Sequence, residues 1–278
     1  MASFERDQAE GLRRMLAGPP PRVFTFLSAT SPAEKSAMLV NLGASLARGG
    51  NVVLLDACPP ERGVAGCISA VPHATLLEVA RQQCALNQAV LAVRQGFRLV
   101  SLAGSAAWAA ADADEMRRLA NTFHVLAAQA DVLLVDAELD ARDGFPLAAM
   151  AAGDVVVQVA PDAHSVKAAY ALIKRLSAVS GRRSFGVLVT GAGEQEAATV
   201  YRNMAQAARR YLALPLYSIG FIPPDEHVGR AARLGRSVVD AFPRAGASVA
   251  FRRLAEQVSL RIAGGESGMP ARYAEAGA

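Results

Sequence analysis

From Arg22 onward the chain alternates short, continuous apolar runs with stretches long enough to form helices, and this alternation narrows the possible folds more than any other feature. The runs lie at residues 23–27, 52–55, 97–102, 132–135, 155–159, 185–189 and 217–222, and the stretches between them include 33–48 and 165–177. A strand with one wet face alternates apolar and polar residues, whereas an uninterrupted apolar run needs cover on both faces. Parallel strands joined by crossover helices supply that cover. The pattern therefore predicts an α/β fold, a three-layer, doubly wound, mostly parallel sheet. With 278 residues, 52% of them hydrophobic and only 6% aromatic, the core is expected to be built from Ala, Val and Leu.

Several classes are excluded. No run approaches the roughly 18 apolar residues that span a bilayer, and the charged start of the chain lacks the apolar centre of a signal peptide. Cys58, Cys67 and Cys84 are odd in number and form no Cys-x-x-Cys pair, so neither a disulfide framework nor a zinc site is indicated and a cytoplasmic setting is expected. The formal net charge of +4 does not call for nucleic acid, and the arginine pairs read as solvated helix faces.

Gly18-Pro19-Pro20-Pro21 breaks the chain. Residues 1–18 are expected to form a short N-terminal helix with Phe4, Ala9, Leu12 and Leu16 near one face, and 19–22 a proline-rich linker. Residues 23–262 form the main domain and 263–278 a flexible tail. The N-terminal helix is too short to be stable alone in water and needs a partner surface.

In doubly wound sheets ligands sit at the carboxyl ends of the strands, so the loops to inspect are 28–36, 56–66, 136–144, 160–165, 190–194 and 223–228. The first reads Ala29-Thr30-Ser31-Pro32-Ala33-Glu34-Lys35-Ser36 before an amphipathic stretch. Strand, eight-residue loop, Lys-Ser, helix is the layout of a phosphate-binding loop without its glycines. At this point two readings stand, a phosphate loop or an ordinary helix start.

Three longer segments carry a resemblance. Residues 155–174 (VVVQVAPDAHSVKAAYALIK), 219–239 (IGFIPPDEHVGRAARLGRSVV), and 41–47 followed by 52–56 (NLGASLA, VVLLD) resemble the MinD-like P-loop ATPases over about residues 22–262. Ahead of them, Asp7-Gln8-Ala9-Glu10-Gly11-Leu12-Arg13 matches the Asp-Gln-Ala-x-x-Leu-Arg motif of the FlhG (FleN) family of flagellar-number regulators. The chain is identified as resembling that family, which implies the MinD-like P-loop NTPase fold and, as cofactors, ATP and magnesium.

Set against that family, the nucleotide motifs are eroded. Lys35 for phosphate and the Ser36 hydroxyl for magnesium survive, but Thr30 replaces the lysine that reaches a dimer partner's nucleotide. Ser31, Pro32 and Glu34 replace glycines that let the backbone approach phosphate. Pro32 offers no N–H. A Glu34 carboxylate about 4 Å from a phosphate would cost about 4 kcal/mol at an effective dielectric near 20. Asp56 survives, while Cys58 stands where the family has its water-positioning aspartate, and is expected to be a buried, inert thiol. Asp136 survives without the Gly-rich switch after it, Thr190 replaces the base-reading asparagine, and Pro223 and Asp225 are kept. Phosphoryl transfer depends on positioning and electrostatics, so loss at four places implies a pseudo-ATPase.

The resemblance further implies that the Asp7–Arg13 helix binds an FlhF-like GTPase and stimulates it. Gln8 would act at the attacking water, Ala9 and Leu12 would pack, and Asp7 and Arg13 would set register. It also implies a flagellar C-ring protein and a flagellar master transcription regulator as partners, and recruitment to the inner membrane or cell pole. The alternative is a working atypical ATPase with ATP-dependent dimerisation and membrane association. Relatives attach to membranes through a C-terminal amphipathic helix; here Phe251, Leu254, Ala255, Val258 and Ile262 share a face that reads instead as the last packing helix of the domain.

Overall fold

A computed structural model of the chain describes residues 22–59, 61–103, 111–181 and 184–263. Eight strands form one sheet: β1 (Arg22–Ser28), β2 (Val52–Asp56), β3 (Leu91–Ala92), β4 (Arg98–Ser101), β5 (Val132–Asp136), β6 (Asp154–Val159), β7 (Phe185–Thr190) and β8 (Leu216–Ile222). Their order is β3-β4-β2-β5-β1-β6-β7-β8, parallel throughout except for the antiparallel β3–β4 pair at one edge. The seven apolar runs are the seven parallel strands. The sequence reading did not anticipate β3, a two-residue edge strand too short to carry a hydrophobic pattern of its own.

The helices are α1 (Pro32–Leu46), α2 (Val64–Cys67), α3 (Leu76–Ala80), α4 (Leu86–Ala89), α5 (Ala113–Ala128), α6 (Ala163–Ser180), α7 (Glu194–Leu212), α8 (Glu226–Arg233), α9 (Val238–Ala241) and α10 (Gly246–Ala263). Two apolar cores flank the sheet, which gives the three layers. One packs Leu76, Leu119, Phe123, Ile173 and Met204 from α3, α5, α6 and α7 against Leu133, Val135 and Val157. The other packs Leu39, Leu42, Val238, Phe251 and Leu254 from α1, α9 and α10 against Leu54, Leu134 and Val156. Side chains alternate along each strand, so Asp56, two residues beyond Leu54, and Asp136, two beyond Leu134, face the α1 layer.

Phe251, Leu254, Ala255 and Val258 are all buried in that layer, as expected of a last packing helix. Edge strand β8 is blunted by a register shift in which Gly220, at φ +126, donates its N–H to the Ser218 hydroxyl at 3.2 Å. Among the described residues no helix is long and apolar enough to cross a membrane. The N-terminal segment with Asp7, Gln8, Ala9, Leu12 and Arg13 lies outside the described residues, as do most of the linker and tail.

Candidate functional site

Strand order sets the site. β1 is central, the chain turns from it into α1, β5 and β6 flank it, and β2 lies beyond β5. Pairing of β2 with β5 puts Asp56 and Asp136 side by side at the carboxyl ends of adjacent strands. α1 starts above them and sends Lys35 inward, 2% exposed. Its ammonium lies 2.6 Å from Asp136 Oδ1 and donates to the Ala137 carbonyl at 3.1 Å and to Cys58 Sγ at 3.2 Å. Those are three acceptors for the three protons of a lysine.

The charges in this cluster control one another. Burial works against the Lys35 charge, but the Asp136 carboxylate outweighs it and its pKa is raised. Burial pushes Asp136 upward against the pull of Lys35, and Asp136 Oδ2 has no hydrogen-bond partner among the described residues. The Cys58 thiol is pushed up by burial and by the Asp136 charge, which leaves it protonated, with Asp136 Oδ1 as an acceptor at 3.4 Å. A protonated, 5% exposed thiol is a poor nucleophile. Asp56 accepts from the Ala65 N–H at 2.8 Å and the Cys58 N–H at 3.2 Å. Even so, burial and the neighbouring Asp136 push it up to about 7.

The loop before α1 has become a helix cap. Ser31 is the N-cap residue and Pro32 opens the helix. The Glu34 N–H donates to Ser31 Oγ at 3.3 Å, while Glu34 Oε2 accepts from the Ser31 amide at 2.9 Å and from its hydroxyl at 2.7 Å. This is a reciprocal capping box. The Ser31-x-x-Glu34 spacing is the sequence signature of such a cap, and neither of the two readings of the segment made use of it. The segment follows β1 at the carboxyl end of the sheet and has the chemistry of a helix start.

A second loop closes over the cluster. Ser36 Oγ, also buried, points at the Arg62 carbonyl at 3.4 Å. The Arg62 guanidinium pairs with Glu138 at 3.0 Å, tying the loop after β2 to the loop after β5. Gly63 allows this approach, since a Cβ there would lie 2.2 Å from Asp56 Oδ1. Arg62, Gly63 and Glu138 escaped the sequence reading because their contacts span distant loops.

The remaining site residues stand apart. Thr190 Oγ1 accepts from Gln158 Nε2 at 3.1 Å. Asp225 follows Pro223 at the end of β8 and caps two helices, accepting from the His227 N–H at 2.9 Å and the Ala247 N–H at 2.9 Å. Burial would raise Asp225, but these N–H groups and the His227 ring hold it below the usual carboxylate range.

Lys35, Ser36, Asp56, Cys58 and Asp136 are thus brought together, and Pro223 and Asp225 serve a helix junction. As arranged, these residues do not fit a magnesium nucleotide. The lysine is saturated, the serine hydroxyl faces a carbonyl, and the helix N-terminus, the natural seat of an anion, carries the protein's own carboxylate.

No family model matches the chain. It is 31% identical over 250 residues to the antiactivator FleN of Pseudomonas aeruginosa, covering 89% of each chain. Among solved structures it is similar to the MinD cell division protein of Aquifex aeolicus, with TM-score 0.64 and 20% identity over 90% of this chain and 100% of that one. An ATP complex of a substituted Cyanothece McdA gives TM-score 0.65 at 17% identity, over 91% of this chain and 100% of that one. A ParA family ATPase from Chlorobium tepidum gives 0.63 at 18% identity, over 85% and 99%.

Proposed function

The chain belongs to the FleN (FlhG) family, on the MinD/ParA P-loop ATPase fold, and from that premise we propose that it is a regulatory binding protein of flagellar assembly whose ATP switch has been lost. Its output is the Asp7–Arg13 segment, which engages an FlhF-like GTPase and stimulates GTP hydrolysis. Gln8 completes the partner's site at the attacking water, Ala9 and Leu12 pack, and Asp7 and Arg13 fix register. The observation that carries the loss of the switch is the closed cluster at α1, where Lys35 is saturated by Asp136, Ala137 and Cys58 while Glu34 caps the helix. The relative's name, antiactivator, supports a second output toward a transcription activator, and a flagellar C-ring protein is a further partner in this reading. The protein works in the cytoplasm and reaches the inner membrane or pole with its partners.

The test is calorimetric titration of Mg-ATP and Mg-ADP into the full chain, with GTPase assays alongside. No heat at millimolar nucleotide is expected. Gln8→Ala should abolish stimulation of the GTPase, and a folded Lys35→Ala variant should keep it. Micromolar nucleotide binding, or loss of stimulation in folded Lys35→Ala, would overturn the reading.

A second reading, an atypical ATPase that dimerises on ATP, has one observation in its favour: Lys35, Ser36, Asp56 and Asp136 converge at one helix start. It requires Lys35 to leave its three acceptors, and the same titration separates it from the first.

A further inference from the structure

A carboxylate oxygen of Asp56, the Sγ of Cys58 and a carboxylate oxygen of Asp136 all lie within 4.8 Å of one another, and all three residues are buried. Exposed carboxylates are screened by water, whereas buried anions need a counter-charge. Asp56 and Cys58 stand at and just past the end of β2, and Asp136 stands opposite Asp56 on β5, so the sheet fixes the spacing of the three. No Cys-x-x-Cys pair announces this group, because its ligands come from two strands.

The spacing is that of a small tetrahedral site. Cys58 Sγ lies 3.4 Å from Asp136 Oδ1. A zinc ion about 2.3 Å from sulfur and about 2.0 Å from oxygen sets those two ligands about 3.5 Å apart. The Lys35 ammonium already sits against the same two atoms, 2.6 Å from the oxygen and 3.2 Å from the sulfur, so a cation is favoured there. Asp136 also has capacity to spare, because its Oδ2 is buried without a hydrogen-bond partner among the described residues. With that second oxygen the carboxylate can hold a metal and Lys35 together, while the Ala137 carbonyl, 3.1 Å from the ammonium, anchors the lysine from the other side. The charges then balance, since three anionic ligands face a divalent ion and one ammonium. A coordinating thiol gives up its proton, here to solvent. Sulfur among the ligands selects zinc-like ions over magnesium, which takes oxygen ligands and keeps its waters.

We propose that Asp56, Cys58 and Asp136 form a binding site for a thiophilic divalent ion of the zinc class, with Lys35 as its built-in counter-cation. The site needs neither the Ser36 hydroxyl nor a nucleotide phosphate, which sets it apart from the magnesium role implied for Ser36, and it is independent of the proposed GTPase contact.

The test is ultraviolet absorption titration of the full, reduced, metal-free chain with cadmium(II) in the absence of nucleotide, followed by competition with zinc(II). One equivalent of cadmium should raise a thiolate charge-transfer band that zinc abolishes and excess magnesium leaves in place. Cys58→Ser should remove the band, and Asp136→Asn should weaken binding roughly tenfold or more, with the fold of each variant checked by circular dichroism. Cys67→Ser combined with Cys84→Ser should keep the band and the affinity of the parent. Cadmium NMR on the parent reads the ligand set without any substitution, and a single sulfur among oxygens is expected. No band at one equivalent, a band that survives Cys58→Ser or is displaced by magnesium, or a band lost with the other two cysteines would overturn the proposal. So would a cadmium resonance with no sulfur ligand or with more than one.

Discussion

The Glu34 carboxylate accepts from both the amide and the hydroxyl of Ser31, so the start of α1 is closed by an anion from its own first turn. The two halves of this box depend on each other. Ser31→Ala and Glu34→Ala should each cost about 1 kcal/mol in urea unfolding. The double variant should cost little more than the worse single one, because each change already breaks the shared unit. Additive losses would show that the two side chains act separately.

Beneath the cap, Lys35 and Asp136 form an ion pair with side chains only 3% and 0% exposed. Lys35→Met leaves a carboxylate buried without its counter-charge and should cost about 3–5 kcal/mol. Adding Asp136→Asn to Lys35→Met removes the orphaned charge and should recover most of that loss. Chemical denaturation of the parent, both single variants and the double variant gives the coupling directly. A double variant no more stable than Lys35→Met would mean that the pair contributes through packing instead of charge.

How far the sequence reveals this site depends on which contacts are local. The parallel strands are legible because runs such as Val52–Asp56 and Val132–Asp136 are apolar on both faces, whereas β3 exists only through its pairing with β4. That Lys35, Asp56, Cys58 and Asp136 sit at strand ends follows from their places in the loops. That Lys35 chooses Asp136 over Asp56 does not, because the choice rests on how three strand ends and the Ala137 carbonyl are arranged in space. The strap between Arg62 and Glu138 joins two loops with no shared local pattern. The capping signal at Ser31 and Glu34, by contrast, is local and lies within four residues of sequence.

Gly63 tests how tightly that second loop is seated. A methyl group there would lie 2.2 Å and 2.4 Å from the two oxygens of Asp56, a carboxylate held in place by the N–H groups of Cys58 and Ala65. Gly63→Ala should therefore destabilise the protein by about 1–3 kcal/mol through overpacking, measured in urea. Shortening the opposing side chain with Asp56→Ala should make the added methyl group tolerable, so that Gly63→Ala costs less in that background. An unchanged cost in the Asp56→Ala background would place the clash elsewhere.

Asp56 also gives stability a pH dependence of unusual sign. Its ordinary value is 3.8 and the folded protein raises it to about 7, chiefly by burial and by the Asp136 charge. Between these values the native state holds a proton that the unfolded chain has released. The slope of stability with pH is therefore negative across this window. The stabilising contribution is fully present below the lower value and is lost as pH rises through the upper one. At about 1.4 kcal/mol per unit over roughly three units, the loss amounts to about 4 kcal/mol at most. Exposed carboxylates elsewhere titrate with their own slopes, so the contribution is best isolated by comparison with Asp56→Asn, which cannot titrate. The stability of the parent relative to Asp56→Asn should fall as pH rises from about 4 to about 7 and then level off. A difference that stays flat across this range would mean that Asp56 is ionised throughout, held by its two backbone N–H groups against the cost of burial.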